Sequence, residues 1–236
     1  MKILYCDIET APNLAYVWGL FKENIPIQRI VDSGYVLCWA AKWDNEKDII
    51  FSSRQGNNHI GMLKQVHSLL DEADVVVHYN GTKFDIPTLN KEFVKIGLNP
   101  PSPYKQIDLL KVAQSQFRFT SNKLEYVAEY LGIKNKVKHK GFQLWIDCMA
   151  DNPSAWIEMK DYNMGDVEVL EELYYRLRPW IKNHPNTNLY SEGTCPTCNG
   201  THVHARGTYK TQSAIYQRYQ CQECGSWFRG VKSEKT

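Results

Sequence analysis

Leu4-Tyr5-Cys6-Asp7-Ile8-Glu9-Thr10 is a short apolar run that carries two carboxylates. Residues two apart in a β-strand point the same way, so Tyr5, Asp7 and Glu9 share one face and Leu4, Cys6 and Ile8 the other. Asp is depleted in strands, and two carboxylates on one face repel, so folding alone gives little reason to place them there. A divalent cation supplies one, because Mg²⁺ and Mn²⁺ take oxygen ligands and offset the repulsion. The alternative is a strand that stops near Ile8 and leaves Glu9 in solvent. Acids elsewhere in the chain must decide between the two.

Around this run, 236 residues allow one domain with an appendage or two small domains. A hydrophobic content of 43% is ample for a packed core. The net charge of +2 is uneven. From Ser191 onward six Lys or Arg face three Glu, a local +3, which leaves 22 basic and 23 acidic residues, or −1, in residues 1–190. The basic C-terminal piece is the one suited to contacting nucleic acid. No apolar run of about 18 residues and no charged-then-apolar leader occurs, so the expectation is a cytoplasmic protein without a membrane partner. Cys6, Cys38 and Cys148 stand alone in apolar surroundings as buried thiols, while Cys195, Cys198, Cys221 and Cys224 cluster near the end.

Strands are expected at 34–43 and 48–53, joined by a turn at Asp44–Lys47, and at 74–79, where Val75-Val76-Val77 lacks alternation and fits an interior strand. Helices are expected at 59–72 and 86–96, then at 122–131 capped by Thr120 or Ser121, and at 155–181 capped by Ser154 and kinked near Gly165. Ile107–Leu110 opens a further strand or helix. The lysine-rich 134–140 reads as a solvated loop able to touch phosphate, and 184–188 as a linker. The order suits an α/β fold, a mixed sheet flanked by helices.

Two more places carry acids. In Tyr79-Asn80-Gly81-Thr82-Lys83-Phe84-Asp85-Ile86-Pro87 a strand runs into a turn and an Asp that opens a helix, where a simple helix cap is the plain alternative. In Asp161-Tyr162-Asn163-Met164-Gly165-Asp166, spacing of four puts Tyr162 and Asp166 on one helix face, which taken singly is just a solvated surface. Together, Asp-x-Glu in the first strand, Asn-x3-Phe-Asp after the interior strand and Tyr-x3-Asp in a late helix resemble the DnaQ-like 3′-to-5′ exonucleases of the RNase H-like fold, in the subgroup with a tyrosine in its third motif. The resemblance covers about residues 1–182.

That resemblance implies a metal-dependent nuclease in which Asp7, Glu9, Asp85 and Asp166 bind two Mg²⁺ or Mn²⁺. Asp7 would bridge both ions, Glu9 and Asp166 help hold the one activating water, Asp85 help hold the other, and Tyr162 orient the attacking water. Asn80 and Phe84 match the second motif as substrate-binding residues, although Phe84 could equally be core. Phosphodiester hydrolysis needs an activated water, a stabilised phosphorus and a leaving 3′-oxygen, which a two-ion site serves. The expected partner is the single-stranded 3′ end of nucleic acid, DNA favoured over RNA, with a polymerase or other replication protein as a second partner if the chain proofreads in trans. The rival readings are an RNase H-like endonuclease or strand-transfer enzyme, and a non-catalytic adaptor.

Cys195-Pro-Thr-Cys198 and Cys221-Gln-Glu-Cys224 are two Cys-x2-Cys knuckles 22 residues apart, the donor set of one structural Zn²⁺. Disulfides are the alternative, disfavoured in the cytoplasm. A piece of about 40 residues has too small a core to fold unaided, so the metal would be close to obligatory. The piece resembles zinc ribbons. Its aromatics interleave with Arg206, Lys210, Arg218 and Arg229, which suits base stacking and phosphate contact, or else they fill the ribbon's own core. The expected organisation is a nuclease domain at 1–184, a linker at 185–194, the ribbon at 195–230 and a tail at 231–236.

Overall fold

The computed structural model describes residues 1–133, 140–187 and 193–234, the last four by backbone alone. The loop expected at 134–140 and the middle of the linker fall largely outside the described residues. Seven strands and six helices precede the cysteines: β1 (Ile3–Thr10), β2 (Leu14–Ala15), β3 (Ile30–Asp32), β4 (Val36–Trp43), β5 (Ile50–Ser53), α1 (His59–Glu72), β6 (Val75–His78), α2 (Asp85–Lys95), β7 (Lys105–Asp108), α3 (Leu109–Gln116), α4 (Leu124–Tyr130), α5 (Gln143–Met149) and α6 (Pro153–Leu177).

Five strands form a mixed sheet in the order β5-β4-β1-β6-β7. The first three pair antiparallel, and β6 and β7 join β1 in parallel. The alternation in β1 divides the core as expected. Leu4, Cys6 and Ile8 pack with Met62, Leu63 and Val66 of α1 and Leu89 and Phe93 of α2. Ile3 and Tyr5 pack on the opposite face with Val127 of α4 and Val167, Leu170 and Leu173 of α6. Because β6 is interior, Val76 serves one cluster and Val75 and Val77 the other. A third cluster joins Leu37 and Cys38 to Leu144 and Cys148 of α5 and to Trp156, Met159 and Tyr162 of α6. Cys6, Cys38 and Cys148 are buried free thiols.

Helix α6 corrects three expectations. It runs unbroken through Gly165. A helix-interior glycine costs only about 1 kcal/mol, less than is gained by burying Tyr162, Val167 and Leu170 on either side of it. Its N-cap is Asn152, whose side chain accepts from the Ser154 amide, so Ser154 is capped rather than capping. Leu177 ends the helix, followed by a 3-10 turn at Arg178–Trp180. Likewise Lys123 precedes α4, and Ser121 only accepts the Lys123 amide. Tyr174 meets the edge of Tyr5, ring centroids 5.5 Å apart, and Lys42 pairs with Glu171, which fixes α6 across the sheet.

After the linker come β8 (Val203–Lys210), β9 (Ile215–Cys221) and β10 (Trp227–Glu234), an antiparallel sheet in the order β10-β9-β8. Among the described residues no helix is long and apolar enough to cross a membrane.

Candidate active site

β1 and α6 bring Asp7, Glu9 and Asp166 together, with a carboxylate oxygen from each lying within 4.8 Å of the others. Asp166 is buried and the other two are half-buried. The strand continues to Thr10, so Glu9 is held on the sheet rather than released into solvent. Two residues not anticipated as part of the site fix the strand's acids. Asn163 donates Nδ2 to Asp7 Oδ2 at 2.7 Å, and the Trp145 indole donates to Glu9 Oε2 at 3.0 Å. Asn163 had a signal in its helical spacing, three residues before Asp166 and so on the same face. Trp145 had none, because its partner lies 136 residues away.

Tyr162, buried one turn before Asp166, lies edge-on to Trp145 with centroids 5.8 Å apart. Burial, the charges of Asp166, Glu9 and Asp7, and a hydrogen bond with Asp166 push its phenol well above the ordinary value, so it keeps its proton. It can donate a hydrogen bond but cannot serve as a base near neutral pH.

Asp85 comes to the same strand from the other side of the sheet. It is the first residue of α2 after the cap position at Phe84, and its Oδ1 accepts from the Ile8 amide at 3.3 Å. The turn before it is set by backbone geometry: Asn80 has φ +68°, and a Cβ on Gly81 would sit 2.5 Å from the His78 ring. Asp108 holds this turn, accepting from the Asn80 amide at 2.9 Å and from Leu110 at the start of α3. His78 Nδ1 accepts from Gly81 and so carries no proton, while Nε2 meets Gln106 Oε1 at 3.1 Å. With burial also lowering its pKa, His78 is neutral, and its 4.0 Å approach to Asp108 is not an ion pair. Burial pushes the Asp85 carboxyl up to about 7, with the charge of Asp108 adding to the effect. Phe84 is half exposed rather than core, and Asn80 is half-buried.

Three carboxylates converging with only hard oxygen donors fit Mg²⁺ or Mn²⁺, since their mutual repulsion calls for a cation. The cysteines fit a different ion. Cys195, Cys198, Cys221 and Cys224 form one cluster, with Cys195–Cys224 and Cys198–Cys221 sulfur distances of 3.7 Å. A disulfide needs about 2.05 Å, whereas four sulfurs about 2.3 Å from a tetrahedral Zn²⁺ stand about 3.8 Å apart. Beside them a cleft of about 930 Å³ opens between the 3-10 turn and the three-stranded sheet, lined by Lys182, Arg218 and Arg229 together with Tyr209, Trp227 and Phe228.

Residues 4–178 match the sequence profile of the RNase H superfamily, and the chain belongs to that superfamily. Among solved structures it is similar to the family B DNA polymerase from the hyperthermophilic archaeon Pyrobaculum calidifontis, with a TM-score of 0.56 and 17% identity over 75% of this chain. The matched region is 25% of that polymerase, so the likeness concerns the fold of one part of a much longer protein. No curated protein matches the sequence.

Proposed function

We propose that this protein is a metal-dependent 3′-to-5′ exonuclease that hydrolyses phosphodiester bonds of nucleic acid, DNA favoured over RNA. The nuclease domain would span 1–184, and a zinc ribbon at 195–230 would help engage nucleic acid through the cationic, aromatic cleft beside it. The observation that carries the reading is the convergence of Asp7 and Glu9 with Asp166, one turn from a protonated Tyr162.

Asp7, Glu9, Asp166 and Asp85 would hold two divalent ions, which when bound supply an activated water and neutralise charge on the phosphate and leaving oxygen. The residues of the chain do the positioning. Asn163 and Trp145 each give one hydrogen bond that fixes a carboxylate, so less ordering remains to be done when substrate arrives. Tyr162 keeps its phenolic proton and orients the attacking water by hydrogen bonding, with no role as base. Asp85, protonated in part near neutral pH when alone, ionises opposite a cation. Asn80 and Phe84 would border the strand, Phe84 by offering its exposed ring to a base.

The test is incubation with 3′- and 5′-end-labelled single-stranded DNA and RNA in Mg²⁺, Mn²⁺ or EDTA, beside Asp7→Ala. Metal-dependent shortening from the 3′ end that disappears in the variant is the expected result. Internal cuts would make it an endonuclease, and binding without cleavage an adaptor. Tyr162→Phe is expected to slow turnover while divalent-ion binding persists; unchanged turnover would remove Tyr162 from the site.

A further inference from the structure

Between β1 and β4 the chain leaves the sheet as an arm that begins two residues after Glu9. Its base is fastened: Ala11 donates to Tyr35 O at 2.8 Å, Gly34 donates to Asn13 Oδ1 at 2.7 Å, and a Cβ on Gly34 would lie 2.5 Å from Ala11 O. Further out, β2 pairs with β3 and Tyr16 donates to Arg29 O at 3.0 Å. The Glu23 carboxylate accepts from the Trp18 and Gly19 amides and pairs with Arg29. The Glu23 carboxylate is thus used within the arm, while the arm's large apolar side chains face outward. Trp18 is 90% and Phe21 88% exposed, with Tyr16, Leu20 and Ile27 also strongly exposed. Three exposed aromatics alone leave several hundred Å² of apolar surface, as much as a whole monomer usually shows in one patch.

Within the arm, Tyr16, Val17, Trp18 and Arg29 line a hollow of about 380 Å³. Two aromatic rings suit a flat, π-bearing occupant, and the Arg29 guanidinium, one nitrogen of which pairs with Glu23, has further N–H groups to donate to an acceptor oxygen, which together is the chemistry of a nucleotide. The position agrees. Seven residues separate Glu9 from Tyr16, a reach of at most about 25 Å, or about seven stacked nucleotides. A strand cut at the carboxylates passes within that reach. Building on the nuclease reading above, we infer that this hollow receives one unpaired base of the substrate strand within about seven nucleotides of the cut, stacked on Tyr16 or Trp18 with an N–H of Arg29 directed to an acceptor oxygen of that nucleotide. The consequence is a preference for single-stranded substrate, since a paired base cannot enter.

The test is an abasic scan. In the full-length Asp7→Ala background, which leaves the strand uncut, affinity is measured by fluorescence anisotropy for single-stranded 12-mers carrying one abasic site at each position in turn. The expected result is a loss of about tenfold at one or two positions within seven nucleotides of the 3′ end, a loss that vanishes when Trp18→Ala is added and persists with Trp18→Tyr. A flat scan, or a penalty that survives Trp18→Ala, overturns the assignment. So does sedimentation showing that Trp18→Ala turns a dimer into a monomer with the scan unaltered, which would make the arm a contact between copies. Failure of the wild-type chain to bind or shorten any strand would instead overturn the nuclease reading itself.

Discussion

Every residue of β4 from Val36 to Ala41 is buried, whereas in β8 none from Val203 to Lys210 is. The first strand lies in the middle of a sheet covered on both faces, each face closed by its own hydrophobic cluster. Among the described residues of the C-terminal piece the buried ones are Cys195, Gly200, Cys221 and Ser226, so the cysteine cluster stands where a core would be. One region is held by area removed from water, while the other gathers four sulfurs at its centre. The same contrast holds for the charged groups. Acids inside the large sheet are costly to bury, while the arginines of the small one sit over aromatic rings, Arg229 lying 4.2 Å from the Tyr216 centroid and Arg218 5.0 Å from that of Trp227.

The largest effect expected from breaking this contrast is loss of the Zn²⁺ proposed for the four cysteines. Structural Zn²⁺ contributes about 10–16 kcal/mol in small zinc domains. Cys221→Ser or a strong chelator should therefore expose residues 195–230 to limited proteolysis, while a fragment spanning β1 to α6 stays resistant. Loss of resistance in both regions together would mean that one core serves both.

Next in size is Asp166→Asn. Turnover on a labelled strand should fall by about a hundred- to a thousandfold or more, as when a group acting chiefly in the transition state is lost. In the metal-free protein the unfolding midpoint should hold or rise, because one of three repelling charges is gone. A drop in both activity and midpoint would make Asp166 a structural residue.

Leu173→Ala removes a fully buried side chain from the α6 face of the core and should cost about 2–5 kcal/mol, read by denaturant unfolding. The zinc content of the protein should be unaltered, which separates the two regions from the opposite direction.

The last effect concerns Asp85. Its carboxyl in the metal-free fold titrates near 7, above the value in an unfolded chain, so between about pH 4 and pH 7 the native state holds the extra proton. Stability should fall as pH rises through that window and level off above it. Asp85→Asn should flatten the slope, and so should added Mg²⁺ or Mn²⁺, since a nearby cation favours the ionised form. A slope unchanged by either would detach Asp85 from the site.

Much of this arrangement is legible in the sequence because it depends on short-range periods. The alternation of β1 assigns Leu4, Cys6 and Ile8 to one face and Tyr5, Asp7 and Glu9 to the other, and spacing of four places Tyr162 under Asp166. The unbroken run of valines marks β6 as interior. What is not legible depends on distant partners. Trp145 reaches Glu9 and Asp108 reaches Asn80 only once the chain has folded. Helix ends are hard to read for a related reason: Asn152 and Ser154 are both good caps, and two residues decide which amide is free. The arm is invisible to pattern reading because its largest apolar side chains stay exposed, and hydrophobic patterning reports burial.

The bond from Asn163 to Asp7 joins residues 156 apart, and β1, with Asp7 and Glu9, is translated before α6. The third acid does not exist until Asp166 has been translated, and it is not positioned until α6 docks on the sheet. The cluster of Asp7, Glu9 and Asp166 therefore assembles only in the folded protein, and an emerging chain carries two of its acids without the third.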